Sequence, residues 1–269
     1  MKITRIESIP VRVPIKPELA IRGGRGLSHS VSPFLLVRIH TDDGLCGVGE
    51  ASCTPRWSGE DQVTAAHFVD NYFASQLIGA TVDDIRDLTK YFSGVVANNY
   101  FTKAAVEMAL WDLAGKAQQS PVWKLFGPRA RDLVPTKWSV SGVAPAKAAE
   151  IAAWAVGQGF KKMKVKVGID PLTDIERVRA VRNAVGPDIK LGVDANGGWP
   201  TPAVAIATIS RLCDESNIYF AEQPVPAGDP ALLAEVRRNV PVPIIADESI
   251  YTLADAHMLA RAEAADVFS

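Results

Sequence analysis

Four short segments of this chain end in residues that could do chemistry together. Residues 163–168, MKVKVG, carry Lys164 and Lys166. Residues 190–199, KLGVDANGGW, run through Leu191 and Val193 to Asp194 and Asn196. Residues 218–224, IYFAEQP, stop on Glu222, and 243–249, PIIADES, stop on Asp247 and Glu248. The steps from Lys166 to Asp194, Asp194 to Glu222 and Glu222 to Asp247 are 28, 28 and 25 residues. A strand, a loop and a helix together need about that length, roughly 30 residues for a βαβ unit. Parallel strands so spaced would present a lysine pair and three acids at their C-terminal ends, where α/β folds place their sites.

Three carboxylates converging from neighbouring strands repel one another unless a cation sits among them. An all-oxygen donor set at a mouth open to water suits Mg²⁺, with Mn²⁺ as a substitute ion. No Cys or His lies beside these positions, which argues against zinc or copper. Any one acid alone reads better as a solvated strand end or a helix N-cap; it is the set, beside the lysine pair, that points to a metal. Lys164 and Lys166 stand at i and i+2, so their side chains leave one face of the strand. Two ammonium groups so close, near a divalent cation, would depress each other's pKa, and a lysine tuned towards neutrality can serve as a general base.

The elements that must position these residues follow from periodicity. Residues 2–14 and 34–40 alternate as strands, and Thr41-Asp42-Asp43-Gly44 is a hairpin turn leading into a third strand over 45–51. Between the first two strands lies a flexible basic loop, Arg22-Gly23-Gly24-Arg25-Gly26, and after the third lies 52–59, SCTPRWSG. Helices are expected over 60–77, 81–92 and 101–118. Antiparallel strands followed by helices make an α+β module of residues 1–125. From 126 to 269 strand and helix alternate: strands over 133–140, the lysine segment, the three acidic segments and the start of a sixth at 265–269. Helices fill the intervals. The expected architecture is a (β/α) barrel domain that stops at its sixth strand, as a fragment of a longer cylinder would.

Bulk properties exclude several classes. At 269 residues the chain can bury a large core and hold two domains. A net charge of −1 gives no electrostatic ground for a nucleic-acid or acidic-membrane partner. Cys46, Cys53 and Cys213 fit neither a zinc spacing nor a disulfide framework, so a reducing cytoplasm is the expected compartment. The first residues have no apolar signal-peptide core, and no run is long enough for a membrane span.

The KVK, VDAN, AEQP and ADES strands, in that order and spacing, resemble the enolase superfamily, mandelate racemase/muconate lactonizing enzyme family, muconate lactonizing enzyme subgroup. That superfamily is a standard illustration of a Lys or His base paired with Mg²⁺. The resemblance implies an N-terminal capping domain and a modified (β/α)₇β barrel. It implies that Asp194, Glu222 and Asp247 ligate Mg²⁺, that Lys166 is the base, and that Lys164 tunes it and touches a small carboxylate substrate. The shared step would be removal of the proton α to the carboxylate, giving an enediolate.

The resemblance also implies closure by two capping loops, here 21–26 and 53–59. Arg22 or Arg25 could meet a second anionic group and Trp57 could cover an apolar or cationic one; a solvated basic loop and a packing tryptophan are equally open readings. Asn196 is either a hydrogen-bond donor near the metal or a turn residue before Gly197, and Glu248 is a supporting acid behind the ligands. Ser139 and Ser141 are candidates for substrate contact. The subgroup's second catalytic lysine would fall beyond Ser269. The activity expected is racemisation or epimerisation of an amino-acid derivative, or muconate-type cycloisomerisation, in a homo-oligomer when full length. Hydroxy-acid or acid-sugar dehydration is the next reading, and a catalytically silent binding or assembly module is the reading from another class.

Overall fold

The computed structural model describes residues 1–17, 20–82, 85, 90, 92 and 94–269, with only the backbone of residue 27. The chain divides into two compact units, Met1–Ile15 with Val31–Leu133, and Lys16–Ser30 with Val134–Ser269.

In the first unit, strands β1 (Ile3–Pro14), β4 (Val31–Thr41) and β5 (Cys46–Ser52) form an antiparallel sheet in the order β1-β4-β5. Gly44 takes φ 86° in the connecting turn, the backbone the Asp-Gly signal requires. Leu35, Val37 and Ile39 alternate into the core, and the helix Tyr100–Ala117 lays Ala105, Val106, Ala109, Leu110 and Leu113 against the same face. That helix lies directly on β5: a Cβ at Gly49 would stand 1.8 Å from the Ala105 carbonyl oxygen, so only glycine admits this contact. The single helix expected over 60–77 is in fact Gln62–Phe68 and Ala74–Leu77 joined by a π-helical turn, Val69–Phe73. The helix expected over 81–92 falls mostly outside the described residues.

The start of helix Tyr100–Ala117 has no cap of its own, since the Asn99 side chain makes no capping bond. Glu60, only 4% exposed, takes that role from across the unit. It accepts from the backbone N–H groups of Phe101 and Thr102, each at 2.9 Å, and from the Thr102 hydroxyl. Glu60→Ala is therefore expected to lower unfolding free energy by about 1–3 kcal/mol, read by denaturant titration, because buried helix N–H groups lose their acceptor.

The second unit is a six-stranded parallel sheet, β6 (Trp138–Val140), β7 (Lys162–Lys166), β8 (Lys190–Asp194), β9 (Ile218–Glu222), β10 (Ile244–Ala246) and β11 (Val267–Phe268). Its spatial order is the chain order. A doubly wound sheet reverses that order at a switch point; a sequential order is that of a (β/α) barrel. Helices Pro145–Gly157, Pro171–Val185, Pro202–Ser216 and Pro230–Arg238 follow β6 to β9 in turn, each opening on a proline at its first turn, where a missing N–H costs nothing. Met163, Val165, Leu191, Val193 and Ala221 face these helices in one continuous core. The strand expected over 133–140 shrinks to Trp138–Val140, and Leu133 and Val134 are exposed outside any element. An apolar run with no partner strand beside it does not become β-structure.

Residues 16–30 group with the second unit rather than with the strands that flank them. The loop read as flexible is a short hairpin, β2 (Ile21–Gly23) with β3 (Leu27–His29), in which Gly23 and Gly24 are buried. Among the described residues, no helix is long and apolar enough to cross a membrane.

Candidate active site

The three acidic strand ends meet. In register, Lys166 pairs with Asp194 and Asp194 with Glu222, so these side chains stand side by side at the C-terminal edge of the sheet. Asp194, Glu222 and Asp247 each offer a carboxylate oxygen within 4.8 Å of the others. Asp194 is fully buried, Glu222 is 2% exposed and Asp247 is half-buried.

The lysines lie on the same cluster. Lys166 Nζ donates to Asp194 Oδ2 at 2.6 Å and to Asn196 Oδ1 at 2.8 Å. Lys164 Nζ stands 2.9 Å from Asp194 Oδ2 and 2.5 Å from Glu222 Oε1. In the cation-free protein the balance of charge at Lys164 runs upward. Burial alone would lower the Lys164 pKa, but the Asp194 and Glu222 carboxylates outweigh it and hold the group above the ordinary lysine value. Counting two ammonium groups had left out the acids between them. The same contacts hold the Asp194 carboxyl below its ordinary range against the pull of burial, chiefly through Lys166 and then Lys164. Glu222 is pushed upward by burial and by the Asp194 charge.

The set fits a hard divalent cation. All three donors are oxygens, and Glu222 Oε2 is buried without a hydrogen-bond partner, with Lys137 Nζ 3.6 Å away. A buried carboxylate oxygen left unpaired is costly unless something positive shares it. Asp247 carries the same strain: burial, then the Glu248 and Asp194 charges, push its carboxyl up to about 6. A raised carboxyl contributes stability at low pH that disappears as pH rises through the folded value. Asp247→Asn should thus raise the unfolding free energy of the cation-free protein at pH 7.5 by about 1 kcal/mol after solvent screening is allowed for, and its melting temperature with it. The parent's divalent-cation affinity should grow as pH rises through about 6, and the variant should gain no stabilisation from Mg²⁺. Melting curves with and without Mg²⁺ across pH check all three.

Asn196 takes the turn position and also hydrogen-bonds beside the acidic cluster. It sits at φ 46° before Gly197, and its side chain accepts from Lys166 while donating to Glu248 Oε1 at 2.8 Å. Glu248 thus supports Lys166 through Asn196, and its own carboxyl is raised, by burial first. Gln223 went unnoticed in the sequence. Fully buried at φ 36°, it accepts through Oε1 from the N–H groups of Asp247 at 3.0 Å and Ser249 at 3.2 Å, and its Nε2 donates to Val225 O and Ser249 Oγ. It fixes the Asp247 loop to the Glu222 strand. The signal for it was an amide side chain directly after the strand-ending Glu222, where an apolar residue would be expected.

Ser141 belongs to the loop: its Oγ accepts from the Arg22 N–H at 2.8 Å and donates to Ala20 O at 3.0 Å. Arg22 O in turn accepts from Gly142 N at 2.7 Å. Gly24 is seated so closely that a Cβ would lie 2.1 Å from Ala195 O and 3.0 Å from Gly168 O. Arg22 and Arg25 are therefore exposed residues of a hairpin resting on the loops after β7 and β8. Trp57 lies in the other unit, its ring 5.0 Å from Phe101 in an edge contact.

A family model described as "Enolase C-terminal domain-like" matches residues 146–269, and one described as "Mandelate racemase / muconate lactonizing enzyme, N-terminal domain" matches 9–127. The N-succinyl-L-Arg/Lys racemase of Bacillus cereus is 31% identical over 266 residues, covering 99% of this chain and 71% of the racemase. The chain belongs to the mandelate racemase/muconate lactonizing enzyme family of the enolase superfamily. The crystal structure of that racemase superposes with a TM-score of 0.95 over 100% of this chain and 72% of its own. A dipeptide epimerase from Cytophaga hutchinsonii, complexed with Mg and D-Ala-L-Val, gives a TM-score of 0.93 at 34% identity, over 100% of this chain and 71% of that one. Within the same family, muconate cycloisomerase 1 of Rhodococcus opacus is 36% identical over 249 residues, 90% of this chain and 65% of that enzyme. These relatives are isomerases, and the family's α+β and parallel α/β domains are the two kinds of unit seen here.

Proposed function

We propose that the protein is a Mg²⁺-dependent isomerase that removes the proton α to the carboxylate of an amino-acid derivative, a dipeptide or an N-acylated amino acid. The observation that carries this reading is the meeting of Asp194, Glu222 and Asp247 within 4.8 Å, with Lys166 Nζ 2.6 Å from Asp194. Those three carboxylates are the ligands for the ion. When bound, Mg²⁺ supplies positive charge that stabilises the negative charge developing on the substrate's carboxylate oxygens.

The remaining work falls to this chain's own groups. Lys166 takes the α-proton at Nζ, held in line by Asn196 and, behind it, Glu248. Lys164, beside Asp194 and Glu222, would meet the substrate carboxylate. To Arg22 and Arg25, exposed on the hairpin, we assign the choice among substrates by the charge of the remote end. The names of the B. cereus and C. hutchinsonii relatives support an amino-acid derivative. The R. opacus relative supports a second reading, muconate-type cycloisomerisation.

Incubation in D₂O with Mg²⁺ and a panel of dipeptides, N-acylamino acids and cis,cis-muconate separates these. Deuterium entering the α-carbon only when Mg²⁺ is present supports the proposal. Lactonisation of muconate without exchange in any amino-acid derivative moves the assignment to the second reading. Neither reaction, with Mg²⁺ bound, overturns both readings and leaves hydroxy-acid dehydration or a binding module.

A further inference from the structure

Helix Pro171–Val185, which follows the lysine strand, sends Ile175, Val178 and Val181 into the core and two charged residues to the same depth. Asp174 is fully buried and Arg177 is 2% exposed, and Arg177 Nη1 meets Asp174 Oδ1 at 2.6 Å. A buried ion pair is seldom worth more to stability than apolar side chains of the same volume, so its other hydrogen bonds indicate what it is for.

Those bonds all go to the chain that carries the site. Arg177 Nε donates to Val143 O at 2.6 Å, in the loop after β6, and Nη1 reaches Lys166 O at 3.3 Å. Asp174 Oδ2 accepts from the N–H groups of Gly168 at 2.8 Å and Ile169 at 3.1 Å, just past β7, and from Trp199 Nε1 at 3.3 Å, after β8. One pair outside the site therefore ties together the ends of three strands and grips the main chain at Lys166 and again two residues on. The loops it fixes, through Gly168 and the turn after Asp194, are those on which Gly24 of the hairpin rests.

We infer that the Asp174–Arg177 pair is a positioning element for the base: it sets the main chain at Lys166, and so the line along which its ammonium group points at the carboxylate cluster. This rests on the proposed function for its catalytic consequence and on the hydrogen bonds alone for its structural one. Lysine at 177 keeps the charge but cannot span Val143 O, Lys166 O and Asp174 together, because it lacks the planar fork of donors.

Arg177→Lys should lower the substrate-saturated rate of α-proton exchange on the order of tenfold to a hundredfold, since small misplacements of a reacting group cost that much. KM and Mg²⁺ affinity should change little, and amide hydrogen exchange should quicken over 166–169 ahead of the rest of the sheet. An unchanged saturated rate per folded molecule, with only a lower melting temperature, would make the pair merely structural and overturn the inference. Should Arg177→Lys not fold, Trp199→Phe decides, because it removes the indole N–H donor and leaves a smaller aromatic ring in its place: a slower saturated rate with faster amide exchange over 166–169 supports the inference, and no change in either overturns it. If the parent exchanges no α-proton with any carboxylate, the functional reading falls by itself. Amide exchange in Arg177→Lys then judges the pair: local opening at 166–169 supports it, and uniform loosening of the unit overturns it.

Discussion

Lys166→Ala is expected to reduce Mg²⁺-dependent α-proton exchange by about 10³-fold, the scale on which a positioned general base contributes, while leaving Mg²⁺ affinity close to the parent's. The asymmetry follows from the contacts. Asp194 loses one ammonium partner at 2.6 Å but keeps Lys164 at 2.9 Å, so the carboxylate is not left orphaned in the interior. All three carboxylates remain in place. Lys164→Ala should behave differently, since it removes the partner of both Asp194 and Glu222 and so disturbs the acids as well as the reaction. Exchange in D₂O beside calorimetric titration of Mg²⁺ reads both. Exchange that survives in Lys166→Ala would take the base role away from this residue.

Asp194→Ala is expected to destabilise the cation-free protein by about 3–5 kcal/mol, the cost of stranding buried charge. Two ammonium groups, those of Lys164 and Lys166, would lose the carboxylate they share. The direction is opposite to that expected for Asp247→Asn, two strands away in the same cluster. Burial opposes both carboxylates; two lysines overcome it at Asp194, whereas at Asp247 the Glu248 and Asp194 charges add to it. The pH signs differ accordingly. A depressed carboxyl contributes stability above its unfolded value, near 3.8, that is lost as pH falls through the lower folded value. Acid titration of the parent should therefore show a loss in that range that is absent from Asp194→Ala. Denaturant unfolding of the two variants at pH 7.5 tests the contrast directly, and a stable Asp194→Ala would mean that the lysines find other partners.

The acidic cluster was legible because a βα repeat converts three-dimensional adjacency into a period along the chain. Asp194, Glu222 and Asp247 announce themselves by near-equal spacing, and Lys164 and Lys166 by sharing a strand face. What escaped was whatever depends on pairing across that period. Gln223 looked like a bystander to Glu222, yet it holds the Asp247 loop. Asp174 and Arg177 do not stand out from the other charged residues of their helix in the sequence, because no pattern in a single helix shows that its charged residues turn inward to meet carbonyls and amides from three other segments. The segment Arg22–Gly26 reads as loose from its glycines, whereas Gly24 is small because Ala195 O and Gly168 O lie against it. The upward shift at Lys164 was missed for the same reason: its sign is set by carboxylates 30 and 58 positions away in sequence, not by the neighbouring lysine.

The anchoring of residues 16–30 has a practical consequence for anyone who would redirect substrate choice by recombining relatives. The hairpin that bears Arg22 and Arg25 draws its hydrogen bonds from Ser141 and Gly142, more than a hundred positions downstream. A graft of the hairpin alone would import arginines without their mooring. The heritable cassette is discontinuous, the hairpin together with the end of β6, and chimaeras cut at those two places should keep their grip where single-segment swaps slip.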